Sequence, residues 1–217
     1  MARIPDGING PFIGRIGNRV YYMLNGQNVS REIGVCGPHN DNQKAISTKM
    51  KLIAPFVATV SEFVKAGFKN TRKSKANQTA ISYAHSVNMK NAVVGKYPNQ
   101  MIDYSKTIFS EGEIAPPENP AVTQKGNNLE IRWEADLAGM NADEHDQIMV
   151  MVYLPDEVKR ITVMTGAKRT EELQLVPVPT LGQETEMFIH VAFVNADRTD
   201  VSDSTFVKQL IWKPMTI

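Results

Sequence analysis

Apolar and polar positions follow three different rhythms along the chain. In residues 10–32 an aromatic-apolar run enters Asn25-Gly26 and leaves as a second β-rich run. Asn-Gly between two such runs predicts a tight hairpin, because both central residues of the turn take positive φ. Gly34-Val35-Cys36-Gly37-Pro38 then breaks the pattern. Asn40 or Asp41 can cap a helix, a side-chain oxygen accepting an orphan backbone N–H. From there Ile46, Met50, Ile53, Val57, Val60 and Val64 recur at alternating steps of 4 and 3, one continuous helical seam. Pro55 falls inside it, and the lost i→i−4 hydrogen bond predicts a kink or a break near Ala54. Gly67 is the expected stop.

Residues 68–78 are polar and basic, and a second helix is expected over about 76–94 with Ala80, Tyr83, Ala84, Val87 and Val94 on its buried side. Gly95 and Pro98 end it. Residues 102–110 read as a strand that closes a small sheet with the hairpin. In 113–120 three prolines stand within five positions, which favours an extended, stiff segment. Beyond it the period changes to 2: Leu129, Ile131 and Trp133 alternate with Glu130, Arg132 and Glu134. The run 148–154 is apolar throughout, as in a central strand, and further strands are expected at 158–164, 173–176, 187–194 and 206–212. About seven short strands in roughly 100 residues is the pattern of an immunoglobulin- or fibronectin-like sandwich.

Charge sharpens the division. Residues 1–115 hold 15 Lys and Arg against 7 Asp and Glu, an excess of +8; residues 116–217 hold 9 against 16, an excess of −7. The chain of 217 residues is therefore expected to be α+β, with a basic α+β domain at 1–113 (hairpin, helices and small sheet), a Pro-rich linker at 114–120 and an acidic all-β sandwich domain at 121–217. The lone Cys36 allows no internal disulfide, so the fibronectin-type version fits better than the antibody type. The first ten residues lack an apolar core of a signal peptide, and no run approaches the ~20 apolar residues of a membrane span. A cytoplasmic protein without membrane contact is expected.

Gly10-Pro11-Phe12, Gly14, Gly17-Asn18, Tyr22 and Gly26-Gln27-Asn28-Val29-Ser30-Arg31 form one set of marks; Gly67-Phe68-Lys69, Ile102-Asp103-Tyr104-Ser105, Gly166-Ala167-Lys168-Arg169 and Ala192-Phe193-Val194-Asn195-Ala196-Asp197 form another. Together they resemble a family of uncharacterised bacterial proteins of about this length, a domain of unknown function. The resemblance covers most of the chain and implies a two-part fold, but it brings no activity and no site residues. Met23-Leu24 stand where that family's pattern has a tryptophan and a basic residue, which argues against this strand as an aromatic binding platform.

Motifs that carry chemistry are missing from the sequence. No G-x-x-x-x-G-K-[ST] phosphate loop occurs, and Gly10, Gly14 and Gly17 do not match the dinucleotide fingerprint. Gly166-Ala167-Lys168-Arg169-Thr170 lacks the first glycine of a phosphate loop and reads as a turn between strands. There is no G-x-S-x-G elbow. Cys36 and His39 are three residues apart with no third group to orient them, and His39, His85, His145 and His190 have no zinc-ligand spacing. The acidic cluster Asp143-Glu144-His145-Asp146 lacks a calcium-loop spacing and reads as a solvated loop. No catalytic residue, metal, cofactor or small-molecule substrate is expected. The remaining lead is basic: Arg15, Arg19 and Arg31 around the hairpin, with Lys69, Arg72, Lys73 and Lys75 in the polar loop, are candidate contacts for an anion or a nucleic acid, and Tyr21, Tyr22 or Phe68 could stack bases beside them. Two functions follow. One is a non-enzymatic structural or protein-interaction module that self-assembles, the basic end of one copy meeting the acidic end of the next. The other is a nucleic-acid-associated protein that binds through its basic N-terminal half.

Overall fold

The computed structural model describes residues 2–3, 11–71, 78–138 and 141–214. It divides into two compact units, Met1–Asn40 and Asp41–Ile217. The first is a four-stranded antiparallel sheet of β1 (Ala2–Arg3), β2 (Gly14–Ile16), β3 (Arg19–Leu24) and β4 (Gln27–Glu32), in the order β1-β4-β3-β2. Asn25 and Gly26 turn the β3–β4 hairpin with φ of 50° and 75°, as the Asn-Gly pair predicts. The turn fixes the register: Leu24 faces Gln27, and counting back from there Val20 faces Arg31 and Arg19 faces Glu32.

The second unit opens with α1 (Asp41–Thr59) and α2 (Ser61–Gly67). The helical seam exists, but its break falls at Val60 rather than near Ala54. Pro55 is carried inside α1. Four residues on, the Thr59 hydroxyl donates to the Pro55 carbonyl at 2.9 Å, offering that group a partner outside the helix ladder just where the helix ends. Gly67 closes α2 for a reason of space: a Cβ there would lie 2.2 Å from the Phe109 carbonyl oxygen.

The next helix, α3 (Ala80–Asn91), is shorter than expected at both ends. Thr79 caps it, its hydroxyl oxygen accepting from the Ser82 N–H at 3.2 Å. Val93–Val94 leaves the helix as β5 and pairs with β6 (Met101–Ile102). This corrects the strand expected at 102–110. Only its first residue is in a strand, and the partner is β5, not the hairpin. Asp103 caps a single 3₁₀ turn, Tyr104–Lys106. The segment after it is held by side chains instead of a ladder: the Phe109 N–H donates to the Ser204 hydroxyl at 3.0 Å, and the Ser110 hydroxyl to the Ser202 carbonyl at 2.8 Å.

Seven strands follow: β7 (Glu118–Lys125), β8 (Asn128–Glu134), β9 (Gln147–Leu154), β10 (Lys159–Val163), β11 (Leu173–Pro177), β12 (Thr185–Val194) and β13 (Thr205–Trp212). They form two open antiparallel sheets, β10-β9-β12-β13 and β11-β8-β7. β9 and β12 are central, and both of their faces are buried, which explains the unbroken apolar run. One face, with Met149, Met151, Tyr153, Ala192 and Val194, shares a core with Ile53, Phe56, Val57, Val60, Phe63 and Val64 of the helices. The other, with Ile148, Val150, Val152, Ile189, Val191 and Phe193, packs on Val122, Leu129, Ile131 and Trp133 of the three-stranded sheet. The fold is thus mixed α+β with a sheet-rich portion. Segment 114–120, expected as a linker, lies within this one unit: helices that precede it share a core with strands that follow it. β7 begins inside that segment, with a register shift between Glu118 and Ala121 and Asn119 at φ 45°. It is an edge strand, where Pro120 withholds no needed donor.

Candidate functional site

The structure settles where the described basic residues stand. Arg15 on β2 faces Val20 on β3, which faces Arg31 on β4, so both cations lie on one face of the small sheet. The next row on that face is Tyr22 and Val29. Arg15 also donates through Nε to the Gly17 carbonyl at 3.1 Å. Arg19 is on the opposite face, and its guanidinium lies 3.7 Å from the Glu32 carboxylate. Lys69 belongs to the other unit, where its Nζ reaches the Arg198 carbonyl at 3.5 Å. Arg72, Lys73 and Lys75 lie outside the described residues. Of the seven candidates, the pair brought onto one face is Arg15 and Arg31. Phe68 does not serve as a stacking surface: it is buried, edge-on to Tyr83 with ring centres 5.2 Å apart.

The N-terminal sheet has little inside it. Among its described residues one apolar side chain, Val29, is buried, while Ile13 (74% exposed), Ile16 (56%), Phe12, Met23, Leu24 and Val35 face outward. Asn28 is buried, and neither its amide oxygen nor its amide nitrogen has a hydrogen-bond partner.

The second unit carries two kinds of recess. At the loop end of the strands, a cavity of about 160 Å³ lies among Asn70, Thr71, Glu111, Asp200 and Asp203. A wider one of about 830 Å³ adjoins it and shares Glu113 and Asp200 with it. Their lining is acidic, and several of its groups are already engaged. The Tyr83 hydroxyl donates to Glu111 at 2.7 Å; burial, followed by that bond, pushes the Tyr83 pKa up to about 12. The His145 backbone N–H and ring hold the Asp143 carboxyl below its ordinary range. Asp146, expected in a solvated loop, is instead buried beneath it and ion-paired with Arg169 at 3.0 Å. Among the described residues no group of three His, Cys, Asp or Glu is placed to hold a metal ion.

The other recess is apolar. A groove of about 400 Å³ runs between α1, β6, the 3₁₀ turn and the β9–β10 turn, lined by Leu52, Pro55, Phe56, Met101, Tyr104, Tyr153 and Val158, among others. Tyr104 and Tyr153 have ring centres 5.0 Å apart at its base. Met101 and Val158 stand 62% and 52% exposed. Val158 has φ of 50°, a left-handed conformation that a β-branched residue adopts only under strain. Sequence reasoning missed this groove because its walls come from segments 50 to 100 residues apart; the available signal was a valine at the end of the Pro155-Asp156-Glu157-Val158 turn, where glycine is the usual choice.

Among the described residues no helix is long and apolar enough to cross a membrane. No curated protein and no solved structure matches the chain. The match is to a family model that spans residues 10–208, from the first hairpin to the last strand, and by it the chain belongs to a family of unknown function, DUF6266.

Proposed function

We propose that the protein is a non-enzymatic protein-interaction module that self-assembles through its N-terminal sheet. The observation that carries this reading is the sheet's inventory of side chains: one buried apolar residue against six exposed ones among those described. A unit of about 40 residues hides too little apolar surface to hold alone, and such units are completed by a disulfide, a metal or a partner. Cys36 is the single cysteine, so an internal disulfide is excluded. A partner surface that covers Ile13 and Ile16 answers the deficit, and the arginines on the same sheet add orientation.

The second unit is read as a fibronectin-type-III-like sandwich with a helical layer added to one face. Seven antiparallel strands divided three against four support that reading. So does the position of the fourth strand, β10, which pairs with the third, β9, rather than joining the sheet of the first, second and fifth. Such a body offers loops and edges to partners and needs no reaction centre.

Nucleic-acid association is the second reading, favoured by Arg15 and Arg31 sharing a face with Tyr22. Size-exclusion chromatography with light scattering and the 260/280 nm absorbance ratio separates the two. A defined oligomer free of nucleic acid is expected, converted to monomer by Ile13→Glu with Ile16→Glu. A peak rich in 260 nm absorbance that loses it at high salt would transfer support to the second reading. A monomer at every attainable concentration would remove the first.

A further inference from the structure

We infer that the apolar groove beside Tyr104 and Tyr153 is the docking site for the N-terminal sheet of a second copy of this chain, an inference that rests on the self-assembly reading above. Three observations converge on it. The first is the groove's chemistry. It continues the buried core outward, from Phe56 and Tyr153, which are buried, through Leu52, to Met101 and Val158 at the rim. Its volume of about 400 Å³ is at the small end for ligand sites and suits a few apolar side chains rather than an extended cofactor.

The second observation is strain. Val158 holds a left-handed backbone at φ 50°, where glycine would be relaxed, and the side chain kept by that arrangement is an exposed branched one on the rim. Strained backbone of this kind persists at binding sites because the side chain it positions is used there. The third is charge. Burial pushes the Tyr104 hydroxyl up, the bond with the Tyr153 hydroxyl offsets part of this, and the carboxylates of Asp156 and Glu186 add to the rise, which places both acids within electrostatic reach of the groove's base. Three cations nearby are already paired: Lys159 with Glu157 at 2.7 Å, Lys106 with Asp103 at 2.8 Å, and Arg160 with Glu62 at 2.8 Å. An apolar recess with acids beside it complements the β2 edge of the sheet, where Ile16 projects to one face and Arg15 to the other. Since sheet and groove are different surfaces, the contact is heterologous and joins copies head to tail.

Two classes of full-length variant test this. Ile13→Glu with Ile16→Glu spoils the sheet. Val158→Gly and, separately, Met101→Ser spoil the groove. Val158→Gly relieves the backbone strain, so it is expected to raise the melting temperature while weakening self-association by about tenfold, opposite directions that a folding defect does not produce. Each class alone is expected to run as monomer at a concentration where the wild-type chain is assembled. Mixed together they are expected to form a 1:1 dimer and nothing larger, because each pair retains one intact sheet and one intact groove. Groove variants that assemble like wild type while the sheet variant is monomeric would overturn the groove as the site and leave the self-assembly reading standing; the sheet would then pair with its own kind. A mixture that stays monomeric would likewise overturn it. A monomeric wild-type chain would remove both.

Discussion

His190 sits on β12 with its Nε2 donating to the Tyr104 carbonyl at 3.0 Å, its Nδ1 buried without a partner, and its ring between Phe109 and Phe206. A second proton would go on Nδ1, where no acceptor waits. Burial accordingly lowers its pKa to about 4 from 6.5, the Tyr104 carbonyl opposing the shift slightly. The unfolded chain takes the proton first as pH falls. The neutral ring's contribution is therefore fully present above pH 6.5 and is lost as pH drops toward 4, a span worth about 3 kcal/mol. Urea unfolding at pH 7 and pH 4.5 is expected to show that loss in the wild type and less of it in His190→Gln; equal losses in both would assign it elsewhere. Arg169 poses the opposite case, a charge buried and satisfied. Its Nη2 donates to Asp146 at 3.0 Å and to the Ala115 carbonyl at 2.8 Å, and its guanidinium carbon lies 4.0 Å over the Phe193 ring. Asp146→Asn strands the cation and is expected to cost about 3–5 kcal/mol in chemical denaturation, more than the paired replacement Arg169→Met with Asp146→Leu, which removes both charges.

At the scale of elements, local rules were followed wherever a single stretch of chain could satisfy its own demands. The Asn25-Gly26 turn and the double-faced apolar run of β9 were legible for that reason. The pairing of Arg31 with Val20 follows from the same turn, since two turn residues dictate every cross-strand neighbour down the hairpin. The failures share a cause as well. β7 hides behind Pro120, which is tolerated because the strand lies on a sheet edge, a fact of topology that no local pattern contains. Segment 102–110 looks like a strand, but its Ile108 and Phe109 N–H groups donate to the side chains of Asn88 and Ser204, 20 and 95 residues away. Ile46 and Met50 continue the helical seam yet stay 61% and 44% exposed, because the sheet beneath α1 covers only its later turns. Two substitutions check the elements directly. Thr79→Ala is expected to cost about 1 kcal/mol by removing the α3 cap. Gly67→Ala is expected to cost more, about 1–3 kcal/mol, since its methyl would meet the Phe109 carbonyl and backbone has to shift. A thermal melt of Gly67→Ala that matches wild type would mean α2 is less tightly seated on that segment than the 2.2 Å approach requires.

The whole molecule joins two parts of unequal strength. Residues 41–217 bury aromatic and aliphatic side chains on both faces of a central sheet, whereas residues 1–40 bury Val29 among those described. The charge asymmetry does little to repair this. Residues 1–40 hold 4 Arg against 2 acids, and 11 of the 15 Lys and Arg of residues 1–115 lie beyond them. Assembly through the N-terminal sheet is therefore driven mainly by apolar contact and is expected to respond weakly to salt. Heat should take the molecule apart in two steps. The N-terminal sheet, stabilised only while a neighbour covers it, melts first, and its midpoint rises with protein concentration by mass action. Above that temperature the chains are separate, so the second transition, that of residues 41–217, has a midpoint independent of concentration. Scanning calorimetry across a wide range of concentrations is expected to show this pair of behaviours, with Ile13→Glu/Ile16→Glu lowering the first transition, abolishing its concentration dependence and leaving the second in place. One cooperative transition, unmoved by concentration, would mean that the sheet draws its stability from within its own chain and that its exposed isoleucines face water by default.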